Sequence, residues 1–257
     1  MLLPRLMHSG RVCHYILYLC SMKRFRLILL LLAVSVSLSA QNSNSLRVSI
    51  LGDSYSTFEG WMQPEWNAVW YFQETGGRPG NNNDVKLVEQ TWWYQLTDDM
   101  GYVLEKNNSF SGSTICYTGY KDKTGRHEDY SDRSFIGRAA NLGHPDIILV
   151  CGGTNDSWCG AQVGDYKWLK WTNEDLYYFR PAMAKMCSEL KDLYPHARII
   201  FILNSELRDD IVESVHTVCK HYKVECVDLH DIEKQAGHPS VAGMKAFALQ
   251  VEAQLLK

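Results

Sequence analysis

Four short stretches each put one chemically useful group directly after an apolar run or directly before a helix-like segment. "ILGDSYS" ends near Ser54, "NNSFSGS" contains Gly112, "GGTND" carries Asn155 and "AGHPS" carries His238. Gly-Asp-Ser alone is ordinary turn chemistry. Together the four hold the parts of an acyl-transfer site. A serine hydroxyl is a poor nucleophile until a base takes its proton, and histidine is the base suited to that near neutral pH. The tetrahedral intermediate carries an oxyanion that needs donors already in place. The backbone N–H groups of Ser54 and Gly112 and the side-chain amide of Asn155 are donors of the right kind.

These groups can meet only if the fold brings them to one edge. After a polar tail, "LRVSIL" (46–51) reads as a buried strand. "QTWWYQLTDDMG" reads as a helix ending near Gly101, and "YVLEKNN" as a second strand. "DIILVCGG" is a continuous apolar run, as expected of a strand covered on both faces. "WTNEDLYYFRPAMAKMCSELKDLYP" predicts a helix with Thr172 as its N-cap and Pro181 as a point of kinking. A strand "ARIIFIL", a helix over 209–222 and a strand "VECVDL" follow, and an amphipathic helix capped by Ser240 closes the chain. Residues 55–87 and 117–143 read as loops, the first rich in aromatics. This alternation predicts an α/β fold: a parallel sheet with helices on both faces and the site at the carboxyl ends of the strands.

Taken in order, "GDS", an isolated Gly, "GTND" and "HP" resemble the four blocks of the SGNH/GDSL hydrolases, from about Val48 to the last helix. The resemblance implies a flavodoxin-like three-layer α/β/α sandwich with a central parallel sheet in a single domain. It also implies ester hydrolysis through an acyl-enzyme, with no cofactor. Carried over by position, Ser54 is the nucleophile, His238 the general base, and Ser54, Gly112 and Asn155 the oxyanion hole. One position departs from the pattern: the family usually has Asp three residues before the His, and here that residue is Gln235. A Gln oxygen can hold the imidazole but brings no charge, and in a serine protease the comparable Asp-to-Asn change costs about 10⁴-fold in kcat. The candidate orienters are Asp231 on the same loop, taken first, then Glu206 just past "ARIIFIL", and Gln235 itself. Asp53 and Asp156 read as carboxylates that shape their loops.

The bulk numbers fit such a domain. The chain has 257 residues, 46% apolar and 21% charged, enough for a real core. From Met22, "MKRFRLILLLLAVSVSLSA" has the basic start, apolar middle and small-residue exit of a secretory signal peptide. Residues 1–21 read as an over-long start, 22–40 as the signal and 41–257 as the hydrolase domain, exported to the periplasm or beyond. The leader holds five basic and no acidic residues, which leaves 21 basic against 29 acidic and a net charge of −8. Such a protein has no electrostatic reason to bind nucleic acid or an anionic membrane. A small-molecule or glycan ester fits better as substrate.

Six cysteines follow the leader, none in a C-x-x-C pair and none with zinc-ligand spacing, so no metal is expected. Cys151 reads as a buried free thiol; Cys219 with Cys226, and Cys151 with Cys159, are candidate bridges. Tryptophans crowd the loops at 61, 66, 70, 158, 168 and 171. They serve either as stacking walls for sugar rings or as packing for the loops, and Trp158, just past "GTND", is the candidate for lining the pocket. The leading expectation is a serine esterase removing acetyl groups from a carbohydrate. The alternatives are a lipid or lysophospholipid esterase, a thioesterase, and a non-catalytic carbohydrate-binding protein on the same scaffold.

Overall fold

The computed structural model describes residues 45–257, and the expected export signal at 22–40 lies outside them. Each apolar run becomes a strand: β1 Arg47–Gly52, β2 Val103–Asn107, β5 Ile147–Gly152, β6 Arg198–Leu203 and β7 Glu225–Asp228. They form one sheet in the order β2-β1-β5-β6-β7, with every pair parallel. This is the doubly wound order in which the chain reverses direction across the sheet between β1 and β5, and ligand sites in such sheets open at that crevice.

Both faces of the sheet are covered. On β5, Ile148 and Val150 point into one core and Ile147, Leu149 and Cys151 into the other. A strand with alternating residues buried on opposite sides reads as an unbroken apolar run, which is why "IILVCG" shows no period of two. Helices α4 (Phe179–Leu193) and α5 (Asp209–Tyr222) pack on the first face. Helices α1 (Trp92–Asp99) and α6 (Val241–Leu255) pack on the second. Their contact centres on Trp92 and Phe247, stacked at 4.4 Å and 3°. Ser240 caps α6 as expected, its hydroxyl accepting from the Gly243 N–H at 3.2 Å.

Three expectations change. Residues 117–143 are not all loop. They contain a hairpin of β3 (Thr118–Lys121) and β4 (His127–Asp129) and a one-turn helix α2 (Phe135–Arg138). All three residues of β4 are exposed, so no apolar alternation announced it. The helix expected from Thr172 begins at Phe179. Thr172 and Asp175 do exchange backbone-to-side-chain bonds, but around the 3-10 turn Glu174–Tyr177 that precedes it. Pro181 therefore falls in the first turn of α4, where its missing N–H has no partner to lose, and it caps no kink. The six cysteines are all free thiols, five of them buried, so neither candidate bridge forms and Cys151 is the buried thiol expected.

No helix among the described residues is long and apolar enough to cross a membrane. The Trp92–Phe247 stack is the main seam between α1 and α6. Trp92→Ala is expected to lower unfolding stability by about 3–5 kcal/mol, read from urea denaturation; a loss below about 1 kcal/mol would show that the seam closes without it.

Candidate active site

β1 ends on Gly52 because nothing larger fits: a Cβ there would stand 2.5 Å from Ser109 Oγ and 2.7 Å from Ser56 Oγ. Asp53 then caps the 3-10 turn Ser54–Ser56, accepting the Tyr55 N–H at 3.0 Å. Burial lifts the Asp53 carboxyl to about 7. The turn leaves Ser54 only 3% exposed and sets its Oγ 2.8 Å from His238 Nε2.

His238 arrives on a two-residue hairpin between β8 (Lys234–Gln235) and β9 (His238–Pro239). Its turn residues, Ala236 and Gly237, have φ of 49° and 76°, the paired positive values of a tight hairpin. That turn brings the Ala236 carbonyl to 3.1 Å from His238 Nδ1. Nδ1–H donates to the carbonyl, which leaves the Nε2 lone pair for the Ser54 hydroxyl. Trp70 lies flat on the imidazole, 3.7 Å between centroids and 9° between planes. The hairpin is held by the Tyr55 hydroxyl donating to Gly237 O and the Tyr71 hydroxyl donating to Pro239 O, each at 2.8 Å. Burial, with no carboxylate in contact, pushes the imidazole down to about 4.

The two candidate donors follow two further strands, Gly112 in the segment after β2 and Asn155 after β5. Gly112 has φ of 82° with open space where a Cβ would sit, so backbone conformation and not crowding selects glycine there. Neither its N–H nor that of Ser54 has a hydrogen-bond partner among the described residues. Asn155 lies in the first turn of α3 (Thr154–Cys159), directly after β5. Its Oδ1 accepts from the Tyr120 hydroxyl at 2.7 Å and its Nδ2 donates to Ser113 O at 3.0 Å. The Ser113 carbonyl, which can only accept, fixes which end of the amide donates, and one Nδ2 hydrogen remains free. Asp156 holds the loop beneath by accepting the Ile115 and Cys116 N–H groups at 2.9 and 3.1 Å, the loop-shaping role expected of it. Burial lifts its carboxyl to about 6.

None of the three candidate orienters is brought to the imidazole. Asp231 has its side chain 95% exposed and pairs with His230. Glu206 pairs with Lys234 at 2.8 Å. Gln235 turns its Oε1 to the Asp84 N–H at 3.0 Å. A main-chain carbonyl takes the place these side chains were expected to fill. No residue type encodes that; its only trace in the sequence is the short Ala-Gly turn before His238.

The chain matches the family model described as GDSL-like Lipase/Acylhydrolase over residues 46–255. It belongs to that family. The structure is similar to that of a Bacteroides ovatus ATCC 8483 protein described as a GDSL-like lipase, at 49% identity and a TM-score of 0.78, over 83% of this chain and 99% of that one. A second, from Bacteroides uniformis ATCC 8492 and described in the same way, shares 52% identity with a TM-score of 0.78 over 82% and 96%. A carbohydrate esterase shares the fold at 18% identity and a TM-score of 0.56, over 82% of this chain and 68% of that one. No curated protein matches the chain.

Within the GDSL-like frame, the loop tryptophans divide. Trp70 is buried against His238, while Trp158 stays 45% exposed, edge-on to Tyr55 and His238 at 6.3 and 6.1 Å. Trp168 instead packs on His221 and Tyr166. Tyr120 and Arg138 carry no signal for the site in the sequence, and Trp70 reads there only as one of the loop tryptophans. Arg138 is buried beneath the site, where its guanidinium donates to the carbonyls of Gly52, Asn108 and Arg133 and to Ser113 Oγ. A lysine keeps the charge but cannot reproduce that fork. Arg138→Lys is expected to cost about 2–4 kcal/mol of unfolding stability through unpaired buried carbonyls, measured by urea denaturation. An unchanged midpoint would mean that the carbonyls find other partners.

Proposed function

We propose that this GDSL-family chain is an exported carbohydrate O-acetyl esterase that works through a Ser54–His238 dyad. The observation that carries the reading is the 2.8 Å contact from Ser54 Oγ to His238 Nε2 in an imidazole whose Nδ1 is held by a carbonyl. In the first half-reaction His238 takes the hydroxyl proton as Ser54 Oγ attacks the ester carbonyl carbon. The oxyanion that forms is met by the N–H groups of Ser54 and Gly112 and by the free Nδ2 hydrogen of Asn155. The imidazolium returns its proton to the leaving alcohol. In the second half-reaction a water attacks the acyl-enzyme with the same base, releasing the acid and restoring Ser54.

Three features support the substrate. The half-exposed Trp158 beside the dyad offers an indole to a sugar ring, whose C–H face stacks on aromatics while its hydroxyls stay wet. Ser54 is buried and its base is covered by Trp70, which favours a short acyl group. The basic and apolar leader, followed by an acidic chain, suits an exported enzyme acting on neutral glycans.

The deciding experiment is fluorophosphonate labelling and hydrolysis of a series of acyl esters. Wild type is expected to label, and Ser54→Ala to lose labelling and at least about 10³-fold in kcat. Labelling that survives in Ser54→Ala would overturn the nucleophile, and a preference for long acyl chains would overturn the acetyl reading.

The pH profile follows from His238. Only the neutral imidazole can accept a proton, and burial holds the group down to about 4. The base form is thus nearly complete at pH 6 and half lost near pH 4, so kcat/KM is expected to stay flat through mildly acidic pH and fall only near 4. A limb close to the ordinary histidine value of about 6.5 would show that burial does not depress the imidazole.

A further inference from the structure

A second cluster of chemically able side chains lies outside the hydrolytic site, where α5 returns to the edge strand β7. His216 and Cys219 stand one turn apart on one face of α5, and Cys226 and Asp228 share one face of β7. Lys223 ends the helix with φ of 54° and turns the chain back, so those two faces meet. His216 Nε2 lies 2.8 and 3.0 Å from the two Asp228 oxygens, and Cys226 Sγ lies 3.6 Å from Asp228 Oδ1. One ligand atom from each of the three lies within 4.8 Å of the other two.

We propose that His216, Cys226 and Asp228 form a binding site for a zinc-class divalent cation, distinct from the hydrolytic site and independent of its chemistry. Zinc takes sulfur at about 2.3 Å and nitrogen or oxygen at about 2.0–2.2 Å in a tetrahedron, which places donor atoms about 3.3–3.6 Å apart. The sulfur–oxygen separation already matches, and the His–Asp contact needs to open by about half an ångström. The donor set selects the ion: a thiolate with an imidazole and one carboxylate favours a borderline metal over calcium or magnesium, which prefer all-oxygen shells. Three protein ligands leave the fourth position to water. A surface His–Asp pair alone would be worth little and would need no sulfur; the thiol is what makes the trio a chelate.

The Cys219 thiol lies against Cys226 and, with burial and the Asp228 charge, holds the Cys226 thiol in its protonated form. Metal binding must therefore displace a proton, and affinity rises with pH. The same neighbour supplies the competing state, a Cys219–Cys226 disulfide, which would remove the sulfur ligand.

The test uses the full-length protein, stripped with a chelator under reducing conditions and titrated with Zn²⁺ and with Co²⁺ as a spectroscopic probe. One equivalent of Zn²⁺ is expected to bind. Co²⁺ is expected to give a thiolate-to-metal charge-transfer band that disappears in Cys226→Ser. His216→Ala and Asp228→Asn are expected to weaken binding at least tenfold, with circular dichroism confirming that each variant is folded. Activity is expected to be the same with and without the metal. Stoichiometric binding that survives in Cys226→Ser, the absence of the charge-transfer band in wild type, or a Cys219–Cys226 disulfide in protein purified without reductant would each overturn the site.

Discussion

The active-site edge depends on one buried cation. The Arg138 guanidinium sits below the surface and gathers carbonyls from the end of β1 (Gly52), the segment after β2 (Asn108) and the turn before α2 (Arg133), together with the Ser113 hydroxyl. A buried charge is tolerated only when hydrogen bonds replace its lost hydration, and here four acceptors take four of the five guanidinium N–H groups. Burial pulls the guanidinium down to about 9, opposed by the nearby Asp53 carboxylate, so it remains charged at neutral pH. Because Ser113 also gives its carbonyl to the Asn155 amide, the clamp extends from the strand that carries Ser54 to Asn155. One buried side chain thus ties together the segments that carry Ser54, Gly112 and Asn155.

Charge around the site is otherwise kept low. Asp53 and Asp156 are both fully buried, and desolvation raises both carboxyls toward neutrality. Neither reaches the imidazole. Asp53 spends one oxygen on the cap of the Ser54 turn, and Asp156 spends both on the backbone of the Gly112 loop. These acids shape the backbone around Ser54 and Gly112, and the imidazole stands without a carboxylate. A neutral ester suits such a pocket, since an anionic substrate would meet two buried acids and only one fully engaged cation.

The strands and the groups that follow them were legible because short-range rules govern them. An apolar run covered on both faces needs no knowledge of its neighbours, and the groups that follow it must emerge at the carboxyl edge of a parallel sheet. What was illegible rests on long-range contacts or on main chain. Trp70 could not be assigned to His238 across that sequence distance, and Tyr120 sits on a hairpin whose exposed polar strand carries no periodic pattern. Arg138 lies in a one-turn helix that looks like charged loop, and nothing in "SFIGR" says that its guanidinium is buried. The orienter was illegible for a different reason: a main-chain carbonyl, which no residue type encodes, holds His238 Nδ1.

That substitution has a definable energetic meaning. An orienting carboxylate does two things for a catalytic histidine: it fixes the tautomer with Nε2 unprotonated, and it stabilises the imidazolium that forms. Replacing the Asp by Asn in a serine protease loses both, because the amide holds the wrong tautomer, and the combined loss of about 10⁴-fold corresponds to about 5.5 kcal/mol. The Ala236 carbonyl can only accept, so it enforces the correct tautomer as strictly as a carboxylate does, and it forgoes only the charge. What remains lost is the stabilisation of the imidazolium, visible in the fall of the His238 pKa under burial. The stacked Trp70 face compensates part of that loss, since the electron-rich face of an indole attracts a cation positioned over it. The proposed dyad would therefore take its geometry from the backbone and its cation stabilisation from an aromatic ring, which accounts for an imidazole that is covered, oriented and yet unaccompanied by an acid.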